Sequence, residues 1–148
     1  MSSLWELCKS GSLPEVREAL ARGEDVNIKG QLTFETGLMR AVQNGHNLIV
    51  KLLLEQPTLD LNYSDIIGYT ALHYAAAAEF DNVEAVRMLL ADPRLSTANL
   101  KSKHGHTPAM RAIFSKNVNA LRELVTHPSV DLDTGTDLMC LTRWDFQQ

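Results

Sequence analysis

Apolar and polar positions along the chain repeat at one helical period in four places: Leu13/Val16/Ala19/Leu20, Asn47/Val50/Leu53/Leu54, Val83/Val86/Leu89/Leu90 and Val118/Leu121/Leu124/Val125. Each set is spaced i, i+3, i+6, i+7, which places its members on one face of a helix. The sets are offset by 34, 36 and 35 residues, a period that marks a repeat architecture. Upstream of the last three sets stands a second block: Thr36-Gly37-Leu38-Met39-Arg40-Ala41, Thr70-Ala71-Leu72-His73-Tyr74-Ala75 and Thr107-Pro108-Ala109-Met110-Arg111-Ala112. Each opens with Thr, whose hydroxyl accepts from the free backbone N–H groups of a helix start. Pro108 falls at the first helical position, where its missing N–H costs nothing. Downstream, each apolar set runs into Arg22-Gly23, Gln56-Pro57, Asp92-Pro93 or His127-Pro128, and proline can neither donate to a continuing helix nor follow helical backbone easily. The predicted unit is helix, short turn, helix, break and extended loop.

A unit of about 35 residues cannot bury its own apolar face, so neighbours stack and share one core. The residues Asn62, Gly68 and Thr70-Ala71-Leu72-His73-Tyr74-Ala75-Ala76 resemble the ankyrin repeat, and Asn44-Gly45-His46 with Val50-Lys51-Leu52-Leu53-Leu54 matches its inter-helix turn and second helix. The resemblance covers residues 4 to about 133. It implies an all-α solenoid of stacked helix-turn-helix units with projecting hairpin loops, in one domain over 1–148. Its expected divisions are an N-terminal capping repeat at 1–27, repeat 2 at 28–62, repeat 3 at 63–99, repeat 4 at 100–133 and a partial C-terminal repeat or cap at 134–148.

Ser3-Leu4-Trp5-Glu6 and Ser12-Leu13-Pro14-Glu15 both read as Ser-x-x-Glu capping boxes, and Asp81-Asn82-Val83-Glu84 as an acidic version. The first unit suits a solvated end, because Glu6, Lys9, Glu15, Arg17, Glu18 and Arg22 interrupt its apolar positions. Thr136-Asp137-Leu138-Met139-Cys140-Leu141 resembles the start of a fifth unit without its loop. Trp144 and Phe146 then either fold over the end of the stack or meet a further segment of a longer chain. Repeat 3 carries two extra residues between Ala75 and Asn82, and repeat 2 one between Asn27 and Thr36, both at connections that tolerate insertion.

Composition adds mainly exclusions. The chain is 45% hydrophobic with a net charge of −4, which argues against general affinity for nucleic acid or anionic membrane. It contains no run near the ~20 apolar residues that span a bilayer and no basic-then-apolar leader at Met1-Ser2-Ser3, so cytoplasm or nucleus is expected. Cys8 and Cys140 form no metal or redox pair. With helix layers roughly 8 to 10 Å apart they lie too far from one another for a disulfide, which needs Cα atoms within about 7 Å.

The family resemblance implies that partners dock on the hairpin fingers and on the concave face of the first helices. Carried over by position, the finger of repeat 3 offers Ser64, Ile66, Ile67 and Tyr69 outward around Gly68. Two readings of the isoleucines stand: packing against neighbouring loops, or apolar anchors for a partner. Repeat 2 offers Lys29, Gln31, Leu32, Phe34 and Glu35, but lacks the glycine matching Gly68, so its register is open. Repeat 4 groups Lys101, Lys103, His104, His106 and Arg111, with Lys116 nearby and no acidic residue between Leu100 and Val118. That group is either a solvated edge or a seat for an acidic partner segment whose apolar residues meet repeats 2 and 3. On the inner helices Met39, Arg40, Tyr74, Ala77, Ala78, Arg111 and Ser115 are expected to face the concavity, with core packing the other reading of Met39 and Tyr74.

The resemblance gives His73 and His46 structural roles. His104 and His106 lack converging further ligands for a metal, and no phosphate loop or nucleophile elbow is present. The expected function is therefore a non-catalytic adaptor, scaffold or inhibitor, monomeric alone, without cofactor or small-molecule substrate, whose partner is another protein. Two alternatives remain: phosphopeptide or nucleic-acid recognition by the basic repeat 4 face, or a targeting segment of a larger multidomain protein.

Overall fold

The computed structural model describes residues 2–78 and 82–131. Within them run α1 (Leu4–Ser10), α2 (Leu13–Ala21), α3 (Gly37–Gln43), α4 (Asn47–Leu54), α5 (Ala71–Ala77), α6 (Val83–Ala91), α7 (Pro108–Phe114) and α8 (Val118–Thr126). The first helices stack α1 on α3, α3 on α5 and α5 on α7, while α2, α4, α6 and α8 form a parallel outer row. The expectations for Asp81, Cys140, Trp144, Phe146 and the segment 134–148 lie outside the described residues.

The helical period places the core where the repeated apolar sets require it. Val16 and Ala19, Val50 and Leu53, Val86 and Leu89, Leu121 and Leu124 are all buried. They join Leu38, Ala41, Leu72, Ala75, Ala109 and Ala112 from the inner helices in one continuous cluster. Alanines at these inner positions allow α3, α5 and α7 to approach closely, and truncating a buried leucine between the rows would cost about 3 kcal/mol. Burial also pushes the Cys8 thiol up to about 12, so it is a packing group rather than a nucleophile.

Threonines start the inner helices as expected. The hydroxyls of Thr36, Thr70 and Thr107 accept from the N–H of Met39, His73 and Met110 at 3.3, 3.4 and 3.2 Å, each cap contributing about 1 kcal/mol. The Ser3 box forms in both directions with Glu6. The second box does not: Ser12 makes no side-chain cap bond. The tight turn after α1 explains this, since Leu13 donates back to the Gly11 carbonyl at 3.1 Å and Pro14 has no N–H to offer.

Three asparagines tie each repeat to the next. Asn27 donates to the Thr58 carbonyl and accepts from Asp60 N–H. Asn62 does the same with Arg94 and Ser96, and Asn99 with Ser129 and Asp131. One amide side chain thus satisfies two backbone groups of the following loop, which fixes the spacing of the finger roots.

Candidate partner-binding face

Each finger closes on its own backbone. Gly30 N–H donates to Glu35 O, Asp65 N–H to Tyr69 O and Ser102 N–H to His106 O, all at 2.9 Å. Adjacent fingers are also joined sideways, by Ile66 N–H to Thr33 O at 3.4 Å and Lys103 N–H to Ile67 O at 2.9 Å. Gly68 lies in the left-handed region at φ +87°, and a Cβ there would sit 3.1 Å from the backbone of Ser102 and Lys103. Glycine is therefore required at Gly68 for both conformation and approach. In repeat 2 the corresponding position, two residues before the capping threonine, is Phe34 at φ 56°. The loop shares the left-handed position, with a bulky residue in glycine's place, but closes one residue wider than the other two, Gly30 to Glu35 against Asp65 to Tyr69 and Ser102 to His106.

The outward apolar groups are fewer than expected. Ile66 is 48% exposed, Phe34 46% and Leu32 89%, while Ser64, Ile67 and Tyr69 are half-buried. Tyr69 points inward, stacking on His73 at 5.3 Å and meeting Tyr74 edge-on at 5.6 Å. Arg111 lies over its ring at 4.9 Å. Next to it His106 packs on Phe114 at 4.9 Å, and Phe114, which the sequence reading passed over, is 51% exposed. Lys101, Lys103, His104 and Ser115 are exposed, whereas His106, Arg111, Ala77 and Ala78 are half-buried.

Met39 corrects the expectation of a concave contact. It is 1% exposed, and its sulfur accepts from the Thr36 N–H at 3.4 Å. It takes the place that His73 holds in repeat 3, three residues after the capping threonine. There the Thr70 N–H donates to Nδ1 at 3.1 Å and Nε2 bonds the His106 carbonyl at 2.9 Å, so the proton resides on Nε2. Burial, with the Arg111 charge nearby, holds the His73 pKa below its ordinary value. The same two causes, with His104, depress His106.

Glu35, expected on the finger, is buried. Arg40 pairs with its carboxylate at 2.5 Å, and Thr33 and Gln43 donate to it at 2.8 and 3.1 Å. The Tyr74 hydroxyl reaches both Glu35, at 3.0 Å, and Asp65; its single proton serves one of them at a time. Burial first, then Asp65 beside it, raise the Tyr74 pKa. Asp65 is fixed by the N–H groups of Ile67 and Tyr69, both at 2.9 Å. Tyr74 is thus a half-buried residue whose hydroxyl belongs to a carboxylate network.

A groove of about 590 Å³ between α1 and the second finger was not anticipated; Trp5, Lys9, Lys29, Leu32 and Arg40 line it. Trp5 donates its indole N–H to the Glu35 carbonyl at 2.8 Å. Gly30 makes room for the ring, since a Cβ there would lie 2.8 Å from it.

Comparison with known proteins agrees with this geometry. The family model described as ankyrin repeats, in three copies, matches residues 4–99, and α7 and α8 continue the same helix pair beyond that match. A serine/threonine-protein kinase 12 of Arabidopsis thaliana is 39% identical over 69 residues, 47% of this chain. The chain matches only 14% of that relative's length. Among the described residues no helix is long and apolar enough to cross a membrane. Ankyrin repeats are in general protein–protein interaction modules, and with stacked helix pairs, projecting fingers and a family match over most of its length, this chain belongs to the ankyrin-repeat family.

Proposed function

We propose that the chain is a non-catalytic adaptor, scaffold or inhibitor that grips a protein partner through the fingers and inner helices of repeats 2 to 4. The observation that carries this reading is the lateral backbone bonding of the fingers, Ile66 to Thr33 and Lys103 to Ile67. It makes the edge a preformed surface, so little ordering entropy opposes docking. On that surface Phe34, Ile66 and Phe114 are large apolar groups left exposed, the kind of side chain that anchors interfaces. A second arrangement, with these repeats as the targeting segment of a larger protein, draws support from the kinase relative, of which the matched stretch is 14%.

Quantitative affinity capture from cell extract tests the face. Wild type is compared with Phe34→Ser/Ile66→Ser and with an outer-helix control, Arg17→Gln/Arg122→Gln. The finger variant is expected to lose the proteins that wild type and control retain. Full retention by the finger variant, with its helix content unchanged, would place the binding surface elsewhere.

A further inference from the structure

Charge is sorted by the fold. The inner helices and the finger segments 28–36, 63–70 and 100–107 carry Lys9, Lys29, Arg40, Lys101, Lys103 and Arg111. Their only carboxylates are Glu6, Glu35 and Asp65, and the last two are buried. Six cations against three carboxylates leave this edge net positive, whereas acidic residues outnumber basic ones on the other described residues. The cations are themselves ordered along the stack. They flank the first and second units and the fourth, while the third finger between them presents Ile66 with Asp65 behind it.

Arg111 is the sharpest member of this set. Arg22, Arg40, Arg87 and Arg94 each pair with a carboxylate. Arg111 is half-buried and held over the Tyr69 ring, and it forms no ion pair among the described residues. Its Nε and the neighbouring His106 Nδ1 are buried without a protein partner; the Arg40 Nε is too, but Arg40 has Glu35 on its terminal nitrogen and Arg111 has no such carboxylate among the described residues. A guanidinium fixed on an aromatic ring without an anion is preorganised for a carboxylate that the partner brings.

Taking the finger-edge reading above as its basis, we propose that the edge binds an extended segment of a partner protein in the order acidic, apolar, acidic. One acidic residue meets Lys29 and Lys9 beside the Trp5 groove, the apolar residue covers Ile66, and the second acidic residue reaches Arg111 and Lys103. Inner helices pack roughly 8 to 10 Å apart and extended chain advances about 3.3 Å per residue, so the two acidic residues are separated by about six positions. An acidic residue in the middle is disfavoured by Asp65, which makes order as well as composition matter.

The test measures binding of the full chain to two fluorescein-labelled peptides of identical composition by anisotropy. One has a glutamate at each end and two leucines in the centre; the other has a leucine at each end and two glutamates in the centre. The first is expected to bind at least about tenfold more tightly, and Arg111→Gln or Lys103→Glu, at an exposed side chain, to remove about that factor. Equal binding of the two peptides, or no response to either variant, overturns the proposal. So does stronger, Arg111-dependent binding of a phosphoserine peptide or a single-stranded oligonucleotide, which would make the edge a phosphate reader. Ile66→Ser is measured alongside. If it abolishes extract capture while peptide order is irrelevant, the finger face stands and only the charge order falls.

Discussion

Arg40 and Arg111 occupy the same place in two repeats, four residues after the capping threonines Thr36 and Thr107, and they have opposite fates. Arg40 lies 5.2 Å from the Trp5 ring and is neutralised by Glu35, which also holds Thr33, Gln43 and Tyr74. Arg111 lies 4.9 Å from the Tyr69 ring and meets no carboxylate among the described residues. Aromatic support is common to both; the anion is not. The repeat backbone therefore supplies a cation seat, and the residue at the end of each finger decides whether that seat is consumed by the fold. In repeat 2 it is Glu35, immediately before Thr36. In repeat 4 the corresponding residue is His106.

The largest expected effect follows from that difference. Glu35→Ala removes the anion from a partly buried guanidinium and leaves the Thr33 and Gln43 donors without this acceptor, while Tyr74 keeps Asp65. It is expected to cost about 2 to 3 kcal/mol, below the full cost of breaking a deeply buried pair because Arg40 retains some solvent. Arg111→Gln is expected to change stability by less than about 1 kcal/mol, as for side chains outside a native network. Urea unfolding of both variants measures this. Equal costs would mean that Arg111 is as structural as Arg40.

The stack itself was legible because a shared apolar spine leaves a period in the sequence. Threonine caps, proline breaks and the paired sets all follow from helix geometry and appear in the coordinates as expected. Glu35 was not legible, since its burial depends on Arg40, Tyr74 and Trp5, groups on three different helices. A glutamate beside a loop, taken alone, reads as solvated. Met39 and Phe34 were within reach. Aligning the repeats on Thr36, Thr70 and Thr107 sets Met39 beneath buried His73 and Phe34 beneath Gly68 and Gly105. Tyr69 was placed outward because it follows Gly68 in a loop, yet the left-handed turn at Gly68 sends it back over His73.

Acid should separate the two ends of the molecule, and this is the second largest effect. The seam between repeats 3 and 4 rests on His73, neutral and bonded to the His106 carbonyl, while repeat 2 has Met39 in the same place. Burial depresses the His73 pKa in the folded state. Its contribution is therefore complete above the unfolded value near 6.5 and is lost as pH falls through the lower folded value, by up to about 1.4 kcal/mol per unit. His106 acts in the same direction. Asp92 and Glu24, held low by their arginines, contribute only at more acidic pH, below about 4. Between about pH 7 and pH 5, amide exchange is expected to rise first in α7 and α8 while α3 and α4 stay protected. His73→Met, which copies repeat 2, should flatten that response. An unchanged response in this variant would remove the histidine from the explanation.

The smallest effect distinguishes strain kept for binding from strain that is incidental. Repeat 2 has a relaxed inter-helix turn at Gly45, φ 73°, and a strained finger at Phe34, φ 56°; repeat 4 has a relaxed finger at Gly105, φ 78°, and a strained turn at Lys116, φ 56°. The two turns make the same bonds, Gly45 N–H to Val42 O with His46 N–H to Ala41 O, and Lys116 N–H to Ile113 O with Asn117 N–H to Ala112 O. Left-handed backbone costs a side chain roughly 1 to 2 kcal/mol, partly offset by the greater unfolded freedom of glycine. Lys116→Gly is therefore expected to stabilise the fold by about 0.5 to 1 kcal/mol and to leave partner capture unchanged. Phe34→Gly should give a similar gain in the urea midpoint but weaken capture, because the strained residue is also an exposed apolar group on the finger. If both glycine variants stabilise and neither alters binding, Phe34 carries strain with no return in recognition, and the anchoring surface begins at Ile66.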